Sequence, residues 1–239
     1  MKIIYEGKAK RLYPTDNPLE VLMEFKDDAT AFNGKKKAVF DNKGRINKQI
    51  TLLLYQFLEK AGVQTHFVRD HDETKMIVQR VDIIPIEFVV RNVVAGSLSK
   101  RIGLEEGAAL TRPIVEYYYK NDDLGDPMIA PDHIRALNLA TDDELERIRD
   151  EALTINRLLT GFFRDAGLRL VDFKVEFGRR HPDLQDIVLA DEISPDTCRI
   201  WDLETNEILD KDRFRRDLGQ VMESYQRIWE RISGHAAHC

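Results

Sequence analysis

LVDFKVEFG (residues 170–178) sets Asp172, Lys174 and Glu176 on alternate positions among Val171, Phe173, Val175 and Phe177. Side chains at i, i+2 and i+4 of a strand point the same way. Read as a strand, the segment therefore has one apolar face and one face carrying minus, plus, minus. The charges would lie about 6.5–7 Å apart along it. Such a face is either bathed in water or a place where two carboxylates flanking an ammonium hold a metal and its phosphate ligand, since Mg²⁺ favours carboxylate plus phosphate oxygen.

Working outward, DIVLADEIS (186–194) is a second strand-like piece, and RHPDLQ (180–185) is a turn that would make the two an antiparallel pair. That pairing would bring the Asp191 end towards the Asp172 end, so that carboxylates converge; an incidental Asp in a turn is the plainer alternative. Three helices flank these strands. RINKQITLLLYQFLEKAG repeats Ile46, Ile50, Leu53, Leu54, Phe57 and Leu58 at helical spacing, with Gly62 as the stop. Thr141 and Glu144 form a capping box, followed by Leu145, Ile148, Ala152, Ile155, Leu159 and Phe162 up to Gly167. A third helix is expected through DKDRFRRDLGQVMESYQRIWERI, burying Phe214, Leu218, Val221, Tyr225, Ile228 and Ile232. The first ninety residues otherwise alternate like strands. Elements come in mixed order rather than strict β–α alternation, so the expected class is α+β. The expected divisions are residues 1–82 (β-rich), 83–232 (α+β) and a flexible tail, 233–239, the two larger parts flanking a cleft.

The bulk composition excludes several function classes. Of 239 residues, 43% are apolar and 33% charged, and no apolar run approaches the roughly 20 residues of a membrane span. The formal charge of −6 argues against nonspecific binding to nucleic acid or anionic membranes. MKIIYEGKAKRLY lacks the pattern of a secretory signal. Two cysteines, Cys198 and Cys239, make no disulfide framework, so a reducing, cytoplasmic setting is expected. The six histidines show no HExxH or other zinc spacing, and there is no nucleophile elbow. The closing GHAAHC reads as a frayed terminus rather than a metal-binding tail.

The remaining motifs pair Lys/Arg with Asp/Glu. IIPIEFVVRNVVAGS (83–97) embeds Glu87 and Arg91 on one strand face, either as a structural pair or with Arg91 holding a phosphate or carboxylate beside Gly96-Ser97. Lys100 and Arg101 follow in a short helix. EGKAKR (6–11) puts Lys8 and Lys10 on one face in a β context, without being a Walker A loop. KNDDLGDPM (120–128) is a polar loop opening on Lys120. Together this is the kit of an enzyme that handles phosphates with Mg²⁺.

IIPIEFVVRNVVAGS, LVDFKVEFG and DEISPDTCRIWD, with EGKAKR and KNDDLGDPM, closely resemble the SAICAR synthetase (phosphoribosylaminoimidazole-succinocarboxamide synthase) family, in order from about residue 3 to residue 232. The resemblance implies an α+β fold with an N-terminal antiparallel sheet and an ATP cleft like those of protein kinases and ATP-grasp enzymes. It implies a cytoplasmic ATP-dependent ligase of purine biosynthesis that joins 5-amino-1-(5-phosphoribosyl)imidazole-4-carboxylate (CAIR) to L-aspartate through an acyl phosphate, with Mg²⁺, as a homodimer. It implies that Lys8, Lys10 and Arg11 lie along the ATP phosphates, and that the chain at Arg80, Val81 and Asp82 is the adenine hinge bordered by Lys120. Glu176 and Asp191 would hold Mg²⁺ with Asp172 nearby, and Lys174 would face the CAIR carboxylate or the phosphoryl group. Arg91, Ser97 and Arg199 would grip the CAIR phosphate and ribose, and Lys100 and Arg101 the aspartate carboxylates. A small-molecule kinase or a non-catalytic nucleotide-binding module are the rival functions; no HRD or DFG triplet is present.

Overall fold

A computed structural model describes residues 2–31 and 34–237. The first sheet contains β1 (Tyr5–Glu6), β2 (Lys10–Pro14), β3 (Glu20–Phe25), β6 (Phe67–Asp70) and β7 (Lys75–Gln79), in the order β1-β2-β3-β7-β6. Between them come a small hairpin, β4 (Asp28–Ala31) with β5 (Lys36–Val39), and helix α1 (Lys43–Lys60). A single residue, Arg80, separates β7 from β8 (Val81–Ile83), and β8 already belongs to the second sheet.

The second sheet is built on β12 (Leu168–Arg180), with β9 (Ile86–Val93), β10 (Ala109–Tyr119), β11 (Met128–Ile129), β13 (Ile187–Ala190) and β14 (Cys198–Asp202). β12 is long enough to take four partners: β14 and β9 along its first half, β13 and β8 along its second. Gly178 permits the β8 contact, because a Cβ there would lie 2.6 Å from the Val81 side chain. The helices are α2 (Ser97–Ile102), α3 (Pro131–Ala136), α4 (Asp142–Asp165), α5 (Asp212–Arg215) and α6 (Val221–Ala236). Helix α4 packs on β12 and β9, and α1 on α6 and β3. The stripes of α1, α4 and α6 enter one core with Phe88, Phe173, Val175 and Phe177. The sheet changes at Arg80, just ahead of the boundary expected at 82/83, and the core runs through both parts.

Most expected elements are present. Thr141 Oγ1 accepts from Glu144 N at 3.2 Å, and Glu144 Oε2 accepts from Thr141 N at 2.8 Å. The 170–178 and 186–194 pieces pair antiparallel, Glu176 opposite Ala190. Three expectations are corrected. The apolar face of β12 is not Val171-Phe173-Val175-Phe177: the register with β14 slips between Leu170 and Asp172. This bulge turns Val171 into a separate cluster with Val93, Ala95 and Trp201, and Leu170 takes the core side. The third helix is two helices, because Asp217, Gly219 and Gln220 adopt positive φ, and Leu218 is exposed rather than part of a stripe. The tail expected from residue 233 continues α6 to Ala236, where His235 stacks edge-on against Phe162; residues 238 and 239 of GHAAHC lie outside the described residues. Among the described residues, no helix is long and apolar enough to cross a membrane.

Candidate active site

The charged face of β12 looks into the junction of the two sheets. Lys174 donates to Glu176 at 2.6 Å, to Asp191 at 2.9 Å and to Glu87 of β9 at 3.4 Å. Lys10, from β2 of the first sheet, pairs with Asp191 and, at 2.7 Å, with Glu192. Lys120 closes the row on Glu176 at 2.9 Å. Three lysines thus meet four carboxylates, Glu87, Glu176, Asp191 and Glu192, which leaves one negative charge in excess. Burial alone would push the Lys174 and Lys10 ammoniums down, but the carboxylates around each outweigh it and hold both above the ordinary lysine range. Burial would likewise raise the Asp191 carboxyl, yet Lys10, Lys174 and Lys120 hold it well below the usual range. Lys10, Lys174 and Asp191 are thereby each held in their charged form at neutral pH.

Asp191 gains this position through its backbone. It follows β13 directly and takes φ 65, which turns its carboxylate back between Lys10 and Lys174. Asp172 does not join this group. It is buried between two guanidiniums: Arg91 Nη1 donates at 2.7 Å and Arg199 Nη1 at 2.9 Å. Arg91 is held further by Glu116 at 2.7 Å, and Arg199 by Asp212 at 2.8 Å. Glu87 and Arg91 share a strand face as expected, yet each pairs across to a neighbouring strand rather than with the other. Gly96 (φ 57) passes directly over Arg199, where a Cβ would lie 2.6 Å from Nη2; Ser97 opens α2 beside it, exposed.

The other expected residues divide. Lys8 is exposed and reaches Asp122 of the 120–128 loop at 2.6 Å, so it sits over the cleft between the sheets. Lys8 and Lys10 therefore diverge, because Lys8 lies in the turn before β2. Arg11 turns away to Glu6 at 2.9 Å and Glu24 at 3.6 Å. The Arg80 amide donates to Leu19 O and its carbonyl accepts from His181 N, while Asp82 meets His181 Nε2 at 2.7 Å. Arg101 is engaged by Glu116 at 2.6 Å; Lys100 is exposed on α2.

A third group escaped the sequence reading. Asp196 is buried against Lys43 at 2.7 Å, accepts from Tyr225 Oη at 2.7 Å and has Lys211 at 3.9 Å. Burial works against ionisation, but Lys211 and Lys43 hold its carboxyl far down. Asp210, fully buried, is pushed up to about 7 by burial and by Asp212. The signal was present in DKDRFRR, whose charges recur opposite Phe214, but there it passed for the wet face of a helix.

A family model described as SAICAR synthetase matches residues 3–232. The chain belongs to the SAICAR synthetase family. It is 56% identical over 236 residues to a phosphoribosylaminoimidazole-succinocarboxamide synthase of Akkermansia muciniphila, covering 99% of this chain and 100% of the relative. Against the same enzyme of Bacillus mycoides it is 55% identical over 238 residues, covering 100% and 98%. The crystal structure of the family member from Ehrlichia chaffeensis superposes with a TM-score of 0.95 at 48% identity, over 97% of this chain and 98% of that one. A SAICAR synthetase solved in complex with ADP superposes at 0.93, with 51% identity over 98% of both chains. The α+β architecture described above is the SAICAR synthetase fold.

Proposed function

We propose that the lysine–carboxylate row of β12 is where ATP and a substrate carboxylate meet, and that the Asp172-bridged arginine pair beside it holds the substrate's phosphate. As a member of its family the chain is an ATP-dependent ligase of purine biosynthesis, the reaction being CAIR plus L-aspartate plus ATP to SAICAR, ADP and phosphate. The observation that carries the site assignment is the single sheet face on which Arg91, Asp172, Lys174, Glu176 and Asp191 converge from three strand neighbourhoods.

A carboxylate does not accept an amine directly, because its oxygen is a poor leaving group. Phosphorylating it first makes phosphate the leaving group. CAIR carboxylate oxygen attacks the γ-phosphorus, the bond to ADP breaks, and the aspartate amine then displaces phosphate from the acyl phosphate. Catalysis of the first step is positioning and charge neutralisation. Lys174 sits at the centre of the row and neutralises the carboxylate and phosphoryl oxygens. Lys10 and Lys8 approach from the first sheet along the ATP phosphates. The Arg80 backbone groups are engaged and Asp82 pairs with Arg179 on the same side of the β8–β12 ladder, so the hinge role passes to the backbone of Val81, with Asp82 beside it and Lys120 on its border. Arg11, paired on the sheet with Glu6 and Glu24, braces the strands and touches no substrate. Arg91, Arg199, Ser97 and the Gly96 backbone form the phosphate cradle, and Asp172 orients both guanidiniums rather than acting on the reacting atoms. Lys100, at the rim of α2, is the cation left for an aspartate carboxylate, with Arg101 held behind it.

The donor set fits Mg²⁺. Glu176 and Asp191 are hard oxygen donors bridged by one ammonium, in a cluster with excess negative charge, and no third His, Cys, Asp or Glu among the described residues completes an all-protein cage. Mg²⁺ is held in this way by one or two carboxylates plus phosphate oxygens. When bound it supplies charge neutralisation at the phosphates.

The test is ADP release from the purified chain with Mg-ATP and CAIR, with and without L-aspartate. Sustained release only when both are present supports the ligase. Release that ignores aspartate makes the chain a kinase, and none in a folded sample makes it a binding module.

A further inference from the structure

Glu192 stands in the lysine–carboxylate row, yet the chemistry above gives it no task. It is 2% exposed, and its two oxygens have different partners: Lys10 Nζ donates to Oε1 at 2.7 Å and Ser194 Oγ to Oε2 at 2.7 Å. Ser194, completely buried, also accepts from Asp196 N at 3.1 Å, so its single hydroxyl proton is committed to Glu192. The turn that carries these residues is fixed from several sides. Ser194 N donates to Thr197 Oγ1 at 3.1 Å, and Thr197 O accepts from Lys174 N at 2.8 Å. The Asp196 carboxylate is pinned by Lys43 of α1 and by Tyr225 of α6, each at 2.7 Å. The buried Asp196 group is therefore the footing of the turn that sets Glu192.

Lys10 has a second carboxylate, Asp191, but that one is shared with Lys174. An ammonium on a flexible four-carbon stem stays at one point only where a fixed partner holds it. We propose that Glu192, set by Ser194, is the positioning residue for Lys10: it keeps this ammonium of the first sheet in the row when Asp191 turns to the nucleotide's divalent cation. The inference rests on the reading of Lys10 as a contact of the ATP phosphates. Buried and with both oxygens engaged, Glu192 acts through Lys10 rather than on the nucleotide.

The test is calorimetric titration with Mg-ADP of Glu192→Gln, Lys10→Met and the double variant, each well below its melting transition. Glutamine has the shape of glutamate and still accepts from Ser194, so the turn is kept while the charge under Lys10 is lost. Ser194→Ala is the second probe, because it leaves both charges and removes only the hydroxyl that sets Glu192. The expected result is binding weakened about tenfold in Glu192→Gln, the scale of one charge-assisted hydrogen bond, and several-fold in Ser194→Ala. Neither change should weaken binding further in the Lys10→Met background, since a residue that acts through Lys10 has nothing left to position there. A further tenfold loss in the double variant would mean that Glu192 acts independently of Lys10, and overturns the proposal. Unchanged or tighter binding in Glu192→Gln, with Lys10→Met weakened, overturns it too, because Glu192 would then only compete with the phosphates for the ammonium. Unchanged binding in Lys10→Met overturns the underlying reading of Lys10 instead.

Discussion

Replacing Lys174 by Met removes the ammonium that contacts Glu176 at 2.6 Å, Asp191 at 2.9 Å and Glu87 at 3.4 Å, while keeping the length of the apolar stem. Removing one partner of a buried ion pair costs about 3–5 kcal/mol. Asp191 keeps Lys10 and Glu176 keeps Lys120, so the loss belongs at the lower end, about 3 kcal/mol. For a chain of this size that is a fall in Tm of roughly 6–12 °C. Turnover should fall further than stability explains. Losing one preorganised donor to developing charge costs about 10²–10³ in kcat. ADP release, coupled to a nucleotide-recycling assay and measured well below the melting transition, should show that drop in kcat. The KM for CAIR should move little, because the proposed site assigns the opposite end of the substrate to Arg91 and Arg199. A folded Lys174→Met protein with near wild-type turnover would remove Lys174 from the chemistry and with it the reason for the charged face of β12.

Three further outcomes follow from particular contacts. Gly96→Ala drives a Cβ to 2.6 Å from Arg199 Nη2, so the KM for CAIR should rise while ATP binding, measured calorimetrically, stays unchanged. Asp210 has its carboxyl raised to about 7, above its unfolded value, so the native state binds the extra proton and stability falls as pH rises from about 4 through about 7, with a slope of up to about 1.4 kcal/mol per pH unit. Asp210→Asn shifts the baseline, since Asp210 accepts from both Ile200 N and Asp212 N, but the Tm difference from the unmodified chain should move in favour of the variant between pH 5 and 7; a flat difference would contradict the assignment. Thr141→Ala removes the N-cap of α4 and should cost about 0.5–2 kcal/mol with kcat unchanged, read by thermal melting and turnover.

The sequence carried the amphipathic periods, the capping box and the row of charges because each is local. Alternation on β12 made Asp172, Lys174 and Glu176 one face, and the face is real. Their partners were not legible, since they depend on which strands lie beside β12. Arg91 and Glu87 looked equally well suited to each other until the β9–β10–β12 register gave them Glu116, Asp172 and Lys174. The bulge at Val171 and the positive φ of Asp191 leave no mark in a non-glycine sequence, yet one moves a core residue and the other aims a carboxylate. Strand β10 carries Pro113 inside it, a residue that reads against a strand interior, and the α5–α6 break is hidden by an apolar period that persists across it. Asp196, Lys43 and Lys211 come from three separate segments, and each alone is an ordinary charge.

The most direct measurement is the fate of the oxygen in the CAIR carboxylate. With ¹⁸O in that carboxylate, Mg-ATP and L-aspartate, phosphorylation of the carboxylate on the Lys174 face must transfer one ¹⁸O to the released phosphate, seen by mass spectrometry, in step with SAICAR formed. Released phosphate free of ¹⁸O while SAICAR accumulates would mean that the carboxylate oxygen is never phosphorylated, and that the charged face of β12 serves some other step.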